Sequence, residues 1–549
     1  MNKKLILSLI VLLVVPMFLS AFEFAPADAA ENEWTAAAAM PTARGGLGVA
    51  VVNRKIYAVG GVNNGTYFAV NEQYDPVADK WIVKASMPTA RSGFAIAVFQ
   101  NKIYVMGGSG ASGILGVNEV YDPAKNTWET LAAMPTARAD LCASVVGGRI
   151  YVIGGKEDWG VEPSYHELGM NEVYDPVTDT WETKAALPTP AFGYASVVVD
   201  DEVYVMGGAR QFLASLSDLV AIDPVQVYNA ENDSWRNVAS LPNARSFGAA
   251  AATSGLIAPK RIYVLGGYDQ DAYSSTNRVY DVERNSWSSA SSLPSARVYL
   301  AVAVVDDVLY AIGGFDGENW LDANERYLPV GYGTVPPEVR VLSPENKTYM
   351  SKSVELALSV NRATEWIGYS LDAQAEVTVS GDVVLSGLSE GSHTVKVYAN
   401  DSFGNVGSSS TVYFSVDTVA PRVVVLFPEN VSYGGSDVQS SFIVDEPVSW
   451  MGYSLDGADN MTVSGNVTLA VLADGSHNIR FYATDLVGNT GASRTVYFTI
   501  APFPTILVAA VAVTITIVAA TGYLLIKRRK TIANKITVVK SSTSNQKAP

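Results

Sequence analysis

Between residues 41 and 327 the chain alternates short runs of β-branched, aromatic and small apolar residues with clusters of Asn, Asp, Gly and Pro. Residues 49–52, 56–59, 71–74 and 80–83 form one such group, the pattern of four strands joined by tight turns. The group recurs, and a Gly-Gly pair follows the second run of each copy: Gly60-Gly61, Gly107-Gly108, Gly154-Gly155, Gly207-Gly208, Gly266-Gly267 and Gly313-Gly314, in steps of 47, 47, 53, 59 and 47 residues. Such a period is too long for the common helical solenoids and fits a four-stranded sheet. Each copy opens on Pro-x-Ala-Arg or a variant of it and closes on a Tyr, followed in five copies by a Trp. A Gly-Gly at a strand end predicts a neighbour too close for a Cβ. Rings such as Tyr74 and Trp81 are expected to fill the space between successive sheets.

These repeated motifs resemble the kelch family. The resemblance implies an all-β fold, a six-bladed β-propeller over residues 31–332. The last copy has Tyr327 but no Trp after it, while Trp34 precedes Trp81 by the 47-residue step. Residues 33–37 are therefore expected to supply the outer strand of the sixth blade. A ring closed in this way leaves no free sheet edge.

A second repeat follows, offset by 84: residues 337–342 match 421–426, Trp366-Ile367-Gly368-Tyr369 matches Trp450-Met451-Gly452-Tyr453, and Gly391-Ser392-His393 matches Gly475-Ser476-His477. Alternating runs at 394–398 and 478–482 predict two antiparallel β-sandwiches, residues 336–418 and 420–501, similar to immunoglobulin-like modules of prokaryotic surface proteins. Trp366 and Trp450 are expected on a central strand as core aromatics. Residues 506–526 carry no charge, enough at 1.5 Å per residue to cross a hydrocarbon core of about 30 Å, which places a transmembrane helix at 504–526. Lys527-Arg528-Arg529-Lys530 then marks 527–549 as a basic cytoplasmic tail. Lys3-Lys4, an apolar run and small residues near Ala29 read as a signal peptide over 1–29. The expected location is the cell membrane, single-pass, with the N-terminal ectodomain outside.

Charge sharpens this picture. The 549-residue chain carries −16; its last 23 residues hold seven Lys/Arg and no acid and its first 30 are neutral, which leaves −23 on residues 31–526. So acidic a segment repels nucleic acid, and nucleic-acid binding is not expected. The single cysteine, Cys142, excludes an internal disulfide framework and reads as a small residue of an inner strand. No cofactor and no metal are expected. A copper oxidase on kelch blades needs several histidine ligands, and the repeat region holds only His166. Zinc sites and Ser-His-Asp chemistry lack their residues for the same reason. Acid-bearing turns at Asp456 and Asp459 suit turn formation as well as calcium. Glu157, Asp158, Glu162 and Glu167 share one loop, so a surface carbohydrate-active enzyme using loop carboxylates is the alternative function. A purely architectural cell-envelope role is a third.

The second-to-third loops and the interblade linkers must emerge on one face, and the loops after Gly155 and Gly208 are the longest. They carry Trp159, Tyr165, His166, Arg210, Gln211 and Phe212, a mix of aromatic and hydrogen-bonding groups suited to an interface. Arg44, Arg91, Arg138, Arg245 and Arg297 occupy equivalent positions, with Ala191 in the fourth copy. In kelch proteins this Arg belongs to the repeat, which implies a structural brace. Two positions on, Gly46, Gly93, Asp140, Gly193, Phe247 and Tyr299 predict a roomy pocket with little positive charge. Asn64, Asn232, Asn346, Asn400, Asn430, Asn460 and Asn466 begin glycosylation sequons. The expected function is a membrane-anchored binding or adhesion protein whose propeller recognises an extracellular protein or glycan, with no catalysis.

Overall fold

The computed structural model describes residues 30–158, 165–210, 219–269, 272–502 and 505–540. The segment 1–29, expected as a signal peptide, and residues 541–549 lie outside the described residues. Six four-stranded antiparallel sheets follow one another. The first comprises Gly48–Val52, Lys55–Val59, Asn71–Asp75 and Lys80–Val83 in that spatial order. Residues of its inner strand are alternately buried and half-buried, whereas its second strand is buried on both faces after Lys55. The inner strands Gly48–Val52, Ala95–Phe99, Cys142–Val146, Ala195–Val199, Ala249–Ala252 and Ala301–Val305 pack side by side in sequence order, and the last packs against the first. The core lies between sheets: Ala50, Val52, Tyr57 and Val59 of the first meet Ile103, Val105 and Tyr121 of the second.

Two sets of hydrogen bonds lock each junction. Around the axis, the backbone N–H of Gly93 donates to the carbonyl of Gly46, Asp140 to Gly93, Gly193 to Asp140, Phe247 to Gly193, Tyr299 to Phe247 and Gly46 to Tyr299, at 2.5–2.9 Å, a closed circle. All six residues take left-handed φ of 52–60°, a conformation costly for Asp140, Phe247 and Tyr299, at about 1–3 kcal/mol each. At the periphery, the indole N–H of Trp81, Trp128, Trp181, Trp235 and Trp287 donates to a carbonyl just past the outer strand of the preceding sheet, at 2.7–2.9 Å. Two residues before each Trp, a left-handed Asp or Asn accepts both the phenol of its own sheet and a backbone N–H of the preceding one; Asp79 takes Tyr74 at 2.6 Å and Ala38 at 2.7 Å.

The sixth junction is built from the chain start. Glu33–Ala36 pairs antiparallel with Asn324–Leu328, placing Trp34 opposite Tyr327, ring centroids 5.0 Å apart. Trp34 donates to the carbonyl of Ser291 at 2.9 Å, and Asn32 accepts Tyr327 at 2.9 Å and the Ser291 N–H at 2.8 Å. Every peripheral contact of the other five junctions is reproduced.

Two sandwiches follow, each pairing a three-stranded with a six-stranded sheet. Val339, Leu356, Val395, Val397 and Phe414 centre the first core and Val425, Phe442, Ile479, Phe481 and Phe498 the second. Trp366 and Trp450 are not in these cores. Each lies on the outer side of its sheet, folded over the glycine two residues on, Gly368 or Gly452, and donates to Thr378 at 2.9 Å or Thr462 at 3.0 Å. Strand periodicity explains the difference: residues i and i+2 share a face, and a glycine there gives the indole a floor.

His393 and His477 are buried, and both ring nitrogens of each face acceptors. His477 Nδ1 lies 2.7 Å from Asp456 Oδ2 and Nε2 2.7 Å from the Ala473 carbonyl. His393 is held likewise by Asp372 at 2.8 Å and the Ser389 carbonyl at 2.9 Å. Only the imidazolium donates to both partners. The Ala473 carbonyl and then Asp456 raise the His477 pKa, and for His393 the Ser389 carbonyl and Asp372 outweigh the downward pull of burial. Asp456 is thus committed to His477 and to the backbone of Asn478.

Arg362 docks the first sandwich on the ring, donating to Asp401 and to the carbonyls of Leu256 and Val335. Phe403 packs edge-on against Tyr332, centroids 5.8 Å apart. At the C-terminal end, Thr505–Lys540 is one helix, and its stretch Ala510–Thr531, of mean hydropathy 1.8 and with none of it buried, is long and apolar enough to cross a membrane. The helix continues through Lys527–Lys530, where a tail was expected, since no Gly or Pro interrupts it there.

Deleting residues 31–40 removes Asn32 and Trp34 and exposes the edge of Asn324–Leu328. The expected product is aggregated or oligomeric in size-exclusion chromatography with light scattering, and a stable monodisperse truncation overturns the closure argument. A second expectation concerns pH. Because the folded-state pKa of His393 and His477 is raised, their contribution is complete below the unfolded value of about 6.5 and is lost as pH rises through the folded value. Calorimetry should show the sandwich transition falling between pH 6 and 8.5. His477→Gln should cost about 1.5–3 kcal/mol at pH 6 and less at pH 8.5; an equal cost at both values contradicts the charged pairing.

Candidate functional site

One face of the ring collects both loop sets. Each interblade linker forms a bridge to the loop after the second strand of its sheet: Gly45 with Val62, Ser92 with Ser109, Ala139 with Lys156, Phe192 with Ala209, Ser246 with Tyr268, and Val298 with Phe315. The two long loops begin as hairpins, Lys156–Asp158 with Tyr165–Glu167 and Ala209–Arg210 with Val220–Ala221. These hairpins touch. The structure brings four charged or titratable side chains together here: Arg210 Nε lies 3.5 Å from Glu167 Oε1, and His166 Nδ1 3.8 Å from Glu157 Oε1. His166 and Arg210 are about half exposed, so these pairs hold the surface loosely. Trp159, Glu162, Gln211 and Phe212 lie outside the described residues, and Tyr165 is described by its backbone alone.

The axial opening is not the roomy pocket that its residues predicted. Gly46, Gly93 and Gly193 leave space, but Asp140 and Phe247 reach back over it: a Cβ on Gly93 would meet the Asp140 carboxylate, and one on Gly193 would lie 2.5 Å from the Phe247 ring. Asp140 pairs with Lys156 at 2.7 Å, and that ammonium stands 5.2 Å from the Phe192 ring. From there an aromatic arc continues. Phe192 and Phe247 are 6.1 Å apart, Phe247 and Tyr299 4.6 Å, Tyr273 and Phe315 6.0 Å, and Phe315 and Trp320 4.9 Å. Burial, followed by Asp140 and Tyr273, raises the Tyr299 phenol, so it stays a neutral donor. Sequence reasoning did not find this arc. Its signal was the aromatic residue directly after Gly-Gly in the last two copies, Tyr268 and Phe315, where the first two copies have Val62 and Ser109.

The repeat arginines lie inside the junctions. Arg44, Arg91, Arg138 and Arg297 are fully buried and pair with Glu72 at 2.7 Å, Glu119 at 2.8 Å, Glu172 and Glu325 respectively. Arg44 also donates to the carbonyls of Gly60, Thr42 and Ala58. Burial lowers the Arg44 and Arg297 pKa against the lift from their glutamates, and the guanidinium of Arg91 is pushed down to about 10, still charged at neutral pH. None of these four, each already paired with a glutamate, is open to an anionic partner. Cys142 begins an inner strand, and burial pushes its thiol up, away from the reactive thiolate.

Among the sequon residues Asn64, Asn232, Asn346, Asn430, Asn460 and Asn466 are exposed, while Asn400 ends a strand and is half-buried. Asn64 accepts the Trp320 indole at 3.3 Å. Away from the ring, Asp417, Glu446 and Asp485 bring one carboxylate oxygen each within 4.8 Å of one another between the sandwiches, a grouping not foreseen where no metal was expected. Burial and then its acidic neighbours raise the Glu446 pKa.

Comparison with known proteins bears on the ring. Residues 56–323 match the family model of the Attractin/LZTR1 beta-propeller. Kelch-like protein 23 of Homo sapiens is 29% identical over 154 residues, 28% of this chain and 26% of that protein. Kelch-like protein 36 of Bos taurus is 33% identical over 125 residues, 22% of this chain and 19% of that protein. The chain thus spans about a quarter or less of the length of these curated relatives. The solved structure of YjhT, at 20% identity, covers 52% of this chain and 94% of its own, with a TM-score of 0.43. With the repeats and sheets described above, the family model and the Kelch-like relatives establish that the chain carries a kelch-type β-propeller, which an apolar helix near the C-terminus follows further along.

Proposed function

We propose that this protein is a single-pass surface protein whose six sheets form one six-bladed propeller that binds a protein or glycan partner outside the cell. Two immunoglobulin-like sandwiches hold the propeller away from the membrane. The observation that carries the reading is the inequality of the two faces. The first sandwich docks at Leu256, in the turn between the first and second strands of the fifth blade, so it covers the face opposite the long hairpins. The face with Glu157, His166, Glu167, Arg210 and the aromatic arc is left to a partner, and specificity on rigid scaffolds resides in such loops. Glu167 paired with Arg210, and Glu157 standing beside His166, favour binding over glycoside hydrolysis, which needs a free pair of carboxyl groups. Exposed sequons on the sandwiches suit glycans that shield a stalk, and an acidic ectodomain suits solubility.

The test presents the purified full chain, in detergent, to arrays of glycans and cell-envelope proteins. A reproducible binder is expected, weakened tenfold or more by His166→Ala with Arg210→Glu, the size of effect of an interface hot spot. Binding that survives these changes and maps to the sandwiches, or glycoside turnover abolished by Glu157→Gln or Glu167→Gln, overturns the proposal.

A further inference from the structure

The blades differ in the charge they bury at the repeat Arg position. In blades one, two, three and six, Arg44, Arg91, Arg138 and Arg297 each meet a glutamate from the third strand. In the first three, a threonine two residues before the Arg, Thr42, Thr89 or Thr136, donates to the second oxygen of that carboxylate at 2.7–2.8 Å. Blade four has lost both charges together. Ala191 replaces the Arg, Gln226 replaces the Glu, and the amide exchanges hydrogen bonds with the backbone of Thr189 at 2.8 and 3.2 Å. These five blades are neutral at this position.

Blade five is not. Arg245 is retained, 2% exposed, but the third-strand position opposite it is Arg278. The Arg278 guanidinium donates to Asn243, the residue in the threonine position, at 2.9 Å, and to Ser289 at 2.5 Å. Arg245 makes one hydrogen bond, from Nη1 to the Gly266 carbonyl at 3.1 Å. Its Nε and Nη2, and Nε of Arg278, are buried with no partner among the described residues. An unpaired Nε occurs in Arg91 and Arg138, and Arg297 leaves both Nε and Nη1 unpaired; what is particular to Arg245 is that no carboxylate stands beside its open nitrogens. Asp269 attracts it only from beyond ion-pair distance, while burial and then Arg278 push its pKa down to about 10, which leaves Arg245 charged at neutral pH. A buried guanidinium with open donors, facing a second, half-buried guanidinium, is costly unless an anion stands between them.

We propose that blade five holds a small monovalent anion between Arg245 and Arg278, in place of the carboxylate that the other arginines receive from their own chain. Arg245 Nη2 and Nε and Arg278 Nε are the donors. A halide fits such a site, and so does a free carboxylate as small as acetate; the shared chemistry is one negative charge on a compact acceptor.

The experiment melts the full chain in detergent at constant ionic strength, following tryptophan fluorescence while sodium gluconate, too bulky for a buried site, is replaced stepwise by chloride, bromide or acetate. A saturable rise in Tm of roughly 2–4 °C is expected for at least one of them, because an anion bound only by the folded state stabilises it by mass action. Arg278→Glu, which restores the pairing of the other blades, should abolish that rise. Arg278→Gln, which removes one charge without adding an acid, should weaken the apparent anion affinity tenfold or more. Crystals soaked in bromide should show anomalous density beside Arg245. Absence of that density together with a Tm that responds equally in the parent protein and Arg278→Glu overturns the proposal and leaves water as the partner of Arg245.

Discussion

Ring closure is the constraint on which everything else in the propeller depends. Six sheets can close only if each interface repeats the same geometry, and the hydrogen bonds show how strictly it is repeated: one backbone bond at the axis, one indole bond and one Asx bracket at the rim. Closure explains why the chain start is held so far from its own neighbours in sequence. Asn32 and Trp34 lie more than 250 residues from the partners they bind. It also explains where length variation is allowed. The longer steps between Gly-Gly pairs are absorbed in the hairpins of blades three and four and in the turn around Leu256 of blade five, leaving the strands unchanged. Loop length adds entropy cost only slowly, so such insertions leave the ring intact.

The same insertions divide the labour between the faces. The turn of blade five lengthens on one side, and the first sandwich settles there through Arg362. The hairpins of blades three and four lengthen on the other, where the aromatic arc completes a continuous surface around the axial opening. Left-handed backbone at Asp140, Phe247 and Tyr299 is part of that surface. Three glycines meet the same conformational demand without strain; at the other three positions the ring carries strain and presents a side chain at the opening.

Much of this was legible in the sequence because it rests on short-range patterns. Strand runs, Gly-Gly pairs and the unpaired Trp34 each follow from local sterics or from counting. The Asx bracket was equally legible, as Asn or Asp two residues before every blade tryptophan, and went unread because its partner lies in the preceding blade. The Arg–Glu pairs were readable too, by a spacing of 28 residues in blades one, two and six that stretches to 34 where the third loop lengthens. Trp366 and Trp450 were misplaced because aromatic content was weighed above strand parity. The aromatic arc showed in the sequence only as Tyr268 and Phe315 directly after Gly-Gly, and its assembly was not readable, since Phe192, Phe247, Tyr299, Phe315 and Trp320 come from three blades and meet only when the ring closes.

The buried arginines show how such a repeat tolerates change. Removing both partners of a buried ion pair can be nearly neutral, because the lost attraction and the relieved desolvation offset one another, whereas removing one partner costs about 3–5 kcal/mol. Blade four follows the first route, with Ala191 and Gln226 changed together. Blade five follows neither: its acid has become a second cation, and Arg278 remains half-buried with contacts of its own to Asn243 and Ser289. A domain of marginal stability does not carry such a residue without compensation. Among the described residues no group supplies that compensation, and the place where it is needed is the surroundings of the open nitrogens of Arg245.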